Sequence, residues 1–200
     1  SYHNVPIING LEQKDGKKFR AKNVLHVEND TLSSLQLDLD KAYPDEAHVD
    51  NWQRTIALNR KTAKVEITEQ YKLDSLQIEK DRLNGDVFDN RLILMAYGKP
   101  TLKSPGKILL QDGQVCLSFD TKYLSSYIEK VEMTDGIMKT AWKDNVYRII
   151  LRLNDNYPKA MFTYQFEKVE TPKTDVPSMK GKKTRRAKGK KASRKTSRKR

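Results

Sequence analysis

Residues 107–120, KILLQDGQVCLSFD, decide the fold class. Asp112-Gly113 supplies the positive φ angles that a tight hairpin turn needs, and apolar runs lie on both sides of it, so the segment reads as two antiparallel strands. Cys116 sits in the second run and is the only cysteine, which excludes an intrachain disulfide and a Cys-rich zinc module. Burial as a small apolar residue is its simplest role.

Working outward from the hairpin, the dominant period is two. LQLDLD alternates Leu35, Leu37 and Leu39 with polar residues, and VEITEQYKL places Val65, Ile67, Tyr71 and Leu73 on one side, with Glu69 as the exception. NWQRTIALN, VYRIILRLN and AMFTYQFE read as further strands. In VYRIILRLN, Tyr147, Ile149, Leu151 and Leu153 form one face and Arg148 and Arg152 the other, the pattern of a sheet wetted on one side. RLILMA is nearly continuous in apolar residues and predicts a strand covered on both faces, with a buried helical turn as the alternative. Only DSLQIEKDRLNGDVF suits a short helix, ended by Asn84-Gly85. About ten strands separated by Gly, Pro, Asn and Asp turns predict an all-β antiparallel sandwich rather than an α/β fold.

The net charge of +13 is unevenly placed. Of the 39 Lys and Arg residues, 13 fall within residues 180–200, which contain no acid; the remaining 26 match the 26 Asp and Glu of the rest. The body is neutral, and any basic-partner argument belongs to the tail. Its composition leaves too little apolar surface to offset the entropy of ordering, so residues 1–170 are expected to form the sheet domain and 171–200 a disordered basic tail. Lys182, Lys183, Arg185, Arg186, Lys190, Lys191, Arg194, Lys195, Arg198, Lys199 and Arg200 are candidate polyanion contacts. Sulfated sugars and polyphosphates draw on the same counterion release, so acidic glycan and nucleic acid both stand as tail partners, and the lack of aromatics there removes base stacking. No apolar stretch approaches the roughly 20 residues of a membrane-spanning helix.

Chemistry-bearing motifs are sparse. His3, His26 and His48 are the only histidines, and no spacing among them builds a metal site. No nucleotide-binding glycine loop or nucleophile elbow occurs, and the acidic run DLDKAYPDEAHVD matches no calcium-loop spacing and reads first as a loop. His26 lies in a strand-like run and His48 in that loop. His3 precedes the apolar VPII and so opens a strand; the pattern alone favours a structural role for it. Trp52, Trp142 and several tyrosines are candidates either for the core or for stacking on sugars.

SYHNVPIINGLEQKDGKKFRAKNV at the start, then LDLDKAYPDEAHVDNWQRTIALNR and WKDNVYRIIL, resemble the C-terminal sheet domain of the heparinase II/III-like polysaccharide lyases. The resemblance covers most of residues 1–167. Its most specific parts are Tyr2-His3-Asn4 with Gly10 and Gln13 behind it, the Ala42-Tyr43-Pro44 turn, and strands from Trp52 to Arg60 and from Trp142 to Ile150. It implies a two-domain enzyme in which an upstream α-helical toroid carries the catalytic tyrosine with its asparagine and histidine. Such enzymes cleave uronic-acid polysaccharides by β-elimination: the carboxylate is neutralised, a base removes the C5 proton, and a tyrosine protonates the leaving oxygen at C4.

The resemblance also implies zinc, held in the sheet domain by a His, an Asp and a second His. By position His3 corresponds to the last of these, the earlier ligands falling before residue 1. This chain alone is then expected to be inactive and to bind zinc weakly. Periplasmic or secreted location and an acidic polysaccharide substrate follow from the resemblance, while the choice among heparan, alginate and related glycans belongs to the toroid. The basic tail departs from the family pattern, and the alternative is a non-enzymatic polyanion-binding protein that uses it.

Overall fold

The computed structural model describes residues 3–85, 89–155 and 157–170. The predicted tail, including every basic residue named in it, lies outside the described residues. No helix among the described residues is long and apolar enough to cross a membrane.

The chain forms twelve described strands in two antiparallel sheets. They are β1 (Pro6–Ile7), β2 (Lys22–Glu28), β3 (Leu32–Asp38), β4 (Val49–Asn59), β5 (Lys64–Leu73), β6 (Arg91–Ala96), β7 (Thr101–Ser104), β8 (Lys107–Leu110), β9 (Val115–Phe119), β10 (Leu124–Glu132), β11 (Asn145–Leu153) and β12 (Lys159–Lys168). One sheet has the order β1-β6-β11-β10 and the other β2-β3-β4-β5-β12-β9-β8-β7. The expected sandwich is thus observed, with two more strands than the sequence suggests.

The 107–120 hairpin is β8 and β9, and its last ladder pair is Leu110 with Val115. Three successive residues, Gln111, Asp112 and Gly113, take positive φ (49°, 54° and 86°), so the left-handed stretch starts one residue before the Asp-Gly pair. The amides of Gly113 and Gln114 close the turn onto the carbonyls of Leu110 (3.0 Å) and Gln111 (3.1 Å). Cys116 is buried and free.

Between the sheets, Trp52, Tyr71, Leu73, Leu117, Phe162 and Tyr164 of the larger sheet meet Leu92, Leu94, Ile149, Leu151 and Leu124 of the smaller one. Full burial of each such side chain contributes about 1.5–3 kcal/mol. The smaller sheet covers only part of the larger. All of β2 is exposed, and Leu35 of β3 stays 36% exposed despite its alternating pattern. Strand β6 is covered on both faces as predicted: Leu92 and Leu94 enter the main core, while Ile93 joins a second cluster with Ile7 and Ile150.

The predicted helix is α1 (Ser75–Leu83), which carries the chain from one sheet to the other. Asp74 Oδ1 accepts from the amides of Leu76 (3.0 Å) and Gln77 (3.2 Å) at its start, and Gly85 follows its end at φ +84°. A second helix, α2 (Gly136–Trp142), corrects the reading of a strand from Trp142: the strand begins at Asn145. Asp135 caps α2 through bonds of 2.9 Å to the amides of Ile137 and Met138. Every side chain of α2 is exposed, so no apolar periodicity announces it.

Candidate functional site: the anchored N-terminal segment

Glu69, the residue that breaks the alternation of β5, is fully buried between the sheets. Its carboxylate accepts from Trp52 Nε1 (2.7 Å), Arg54 Nε (2.6 Å) and Tyr164 Oη (3.1 Å), and Arg54 Nη2 lies 2.6 Å from it. Period two puts Trp52 and Arg54 on the same face of β4, and register sets Arg54 directly across from Glu69. A buried ion pair survives desolvation only when its remaining donors and acceptors are filled, and here they are.

The same cluster grips the start of the chain. Arg54 Nη1 donates to the carbonyl of Asn4 (2.7 Å), and the Tyr43 hydroxyl donates to the carbonyl of Pro6. Asn4 Oδ1 accepts from the amide of Met95 (2.7 Å), the Ile93 amide donates to Val5 O (3.2 Å), and the Asn9 amide donates to Asn90 Oδ1 (2.9 Å). Asn4, Tyr43, Trp52 and Arg54 all lie in the segments that carry the resemblance, and they meet here. Segment 4–9 is therefore held from both sheets.

Burial pushes the Tyr164 phenol well above its ordinary value, and the Glu69 carboxylate adds to the shift. Burial does the same to Tyr43 and, with Asp155 adding to it, to Tyr71. For Arg54 burial is the largest single influence and pulls downward, but Glu69, Tyr164 and Tyr43 together outweigh it and the net shift is upward. Above the free-tyrosine value near pH 10 the unfolded chain releases phenolic protons that the native protein keeps. Stability is thus intact below about pH 10 and falls as pH climbs beyond it, by about 1.4 kcal/mol per pH unit for each such tyrosine. Urea midpoints between pH 8 and 11 should drop accordingly, and the phenolate absorbance of Tyr43, Tyr71 and Tyr164 should appear only with unfolding.

The predicted site residues are not gathered together. His3 is exposed ahead of β1. His26 is exposed on β2 with Nε2 at 4.0 Å from Glu28, and His48 sits at φ +49° after the 3-10 turn Asp45–Ala47. Among the described residues no group of three or more His, Cys, Asp or Glu is placed to hold a metal ion. Trp52 is a core residue. Trp142 is 44% exposed and, with Tyr97, Met138 and Met95, lines a largely apolar cavity of about 420 Å³ at the end of the smaller sheet. Sequence reasoning did not find this cavity, because α2 supplies one of its walls.

The chain folds like part of a heparan sulfate lyase. Two structures of heparan sulfate lyase HepC from Pedobacter heparinus, one of them a mutant, superpose with a TM-score of 0.59 at 10% identity, over 85% of this chain and 24% of theirs. This chain spans about a quarter of the length of those proteins. At such identity the likeness concerns the fold. No protein-family model and no curated protein matches the sequence.

Proposed function

We propose that this chain is the sheet domain of a polysaccharide lyase that cleaves uronic-acid glycans by β-elimination in the periplasm or outside the cell. The observation that carries this reading is the shared sandwich, matched over 85% of this chain but only a quarter of a heparan sulfate lyase. Residues 1–170 act as a supporting wall, while base and acid lie in an upstream helical domain. The grip of Arg54 and Tyr43 on the carbonyls of Asn4 and Pro6 supports this role, because it sets the direction in which a preceding segment enters the sheet. His3 serves as one zinc donor, with the others outside this chain. The basic residues within 171–200 add affinity for polyanions.

The test compares this chain with the product that also contains the residues encoded upstream of it. β-Elimination leaves a C4–C5 double bond in the uronate, which is read by its ultraviolet absorbance. The longer product is expected to generate that absorbance from at least one of heparan sulfate, alginate and hyaluronan, and this chain alone from none. Activity of this chain by itself would refute the division of labour; inactivity of the longer product on the whole panel would refute the lyase reading.

A further inference from the structure

The smaller sheet faces the main core with one side, and a small cluster of Ile7, Ile93 and Ile150 is buried on the other. Its outer side carries Arg91 on β6, Ser125 and Tyr127 on β10, and Arg148 and Arg152 on β11, around the strip formed by Ile7, Ile93 and Ile150. Together with Asp89 and Glu129 the polar residues line an open groove of about 650 Å³. Arg148 is held by Glu129, Nε and Nη2 lying 2.9 and 2.6 Å from one carboxylate oxygen. The other two arginines are differently placed.

Arg152 and Arg91 stand directly across from each other in the β11 and β6 register, on the same outer face. Like charges at such positions repel. Asp89 reaches Arg91 Nη2 at 2.5 Å, but Arg91 Nε is buried without an acceptor, and the Arg152 guanidinium has no partner among the described residues. Next to them Tyr127 is 64% exposed and lies opposite Ile150, its ring available from solvent. Folding alone gains nothing from two facing guanidiniums of which only Arg91 has a carboxylate partner. An anion bridging the two removes the repulsion.

We propose that this groove binds an acidic glycan, with the Arg91 and Arg152 forks on a carboxylate or sulfate group and the Tyr127 ring under the adjoining sugar. The inference rests on the lyase reading for the kind of polyanion and on the groove for its place. A nucleic acid fits less well: polyphosphate affinity comes from many phosphate contacts, whereas this groove offers one unpaired guanidinium, one half-paired, and two carboxylates nearby, on a body whose overall charge is balanced.

The experiment titrates the full chain by calorimetry with a heparin tetrasaccharide, an unsulfated hyaluronan tetrasaccharide and a thymidine tetranucleotide. Each titration is repeated in a background where the basic residues of 180–200 are changed to Gln, so that the tail cannot mask the groove. Arg152→Gln is expected to weaken binding of at least one tetrasaccharide about fivefold or more, equally in both backgrounds, and Tyr127→Ala about threefold. The melting temperature of Arg152→Gln should stay level or rise, because repulsion is relieved. Loss confined to heparin assigns the forks to sulfate; loss on both sugars assigns them to carboxylate. Unchanged affinity in Arg152→Gln, no binding by the tail-neutralised chain, or an equal loss for the tetranucleotide each overturns the proposal. Elimination activity in the longer product alongside unaltered binding would reject the groove and keep the lyase reading, and groove binding without elimination would do the reverse.

Discussion

Replacing Glu69 with alanine is expected to destabilise the protein by about 4 kcal/mol. The substitution leaves the Arg54 guanidinium, 7% exposed, without its counter-charge, and leaves Trp52 Nε1 and Tyr164 Oη without an acceptor. Breaking a buried pair from one side costs about 3–5 kcal/mol, because the orphaned charge cannot return to water. For a domain of this size the melting temperature should fall by roughly 10 °C or more. Arg54→Met combined with Glu69→Leu removes both charges and should be at least about 1 kcal/mol more stable than Glu69→Ala alone. Urea unfolding of the single and double variants measures both quantities. A loss below about 1 kcal/mol for Glu69→Ala would show that the cluster does not hold the sheets together. Hydrogen exchange adds a local readout: in Arg54→Met the amides of Ile93 and Met95, bonded to Val5 and Asn4, should exchange faster than those in the middle of β11.

Gly106→Ala should cost about 3 kcal/mol, from a different cause. Gly106 holds φ +74° in the Pro105-Gly106 turn between β7 and β8, and its carbonyl accepts from the Phe119 amide at 3.0 Å. A β-carbon there would sit 2.5 Å from the Phe119 carbonyl oxygen and 3.1 Å from Thr121 Cγ2. The left-handed backbone alone costs a non-glycine residue about 1–2 kcal/mol, and the overlap with backbone atoms adds about 1–3 more. Gly113→Ala, at φ +86° with open space around the same position, should lose only the first part. Thermal unfolding of the two variants side by side separates strain from overlap; equal losses would refute the steric argument.

How far the sequence reached differs from element to element. The β8 and β9 hairpin was legible because an Asp-Gly turn and its flanking strands are local, as was the arrest of α1 at Asn84-Gly85. The unbroken apolar run of β6 correctly announced two covered faces. Strand β3 behaves otherwise: Leu35 alternates as a half-buried residue should, yet it stays 36% exposed. Helix α2 escaped because its side chains bury little and leave no 3.6-residue stripe. The exception at Glu69 was visible as a broken alternation, but the sequence held no sign that Trp52, Arg54 and Tyr164 would converge on it from two neighbouring strands. Arg152 read as one more solvated arginine, and its facing partner on β6 is 61 residues away in the chain.

The sequence by itself determined the class of fold, the 107–120 hairpin and the neutral body with its charge gathered at one end, because turn chemistry, alternation and charge are properties of neighbouring residues. Tertiary structure alone decided which carboxylate is buried and what pins Asn4 and Pro6. It also decided which arginines face each other. Those outcomes depend on the register of strands distant in the chain, where a slip of one residue would turn every side chain to the opposite face.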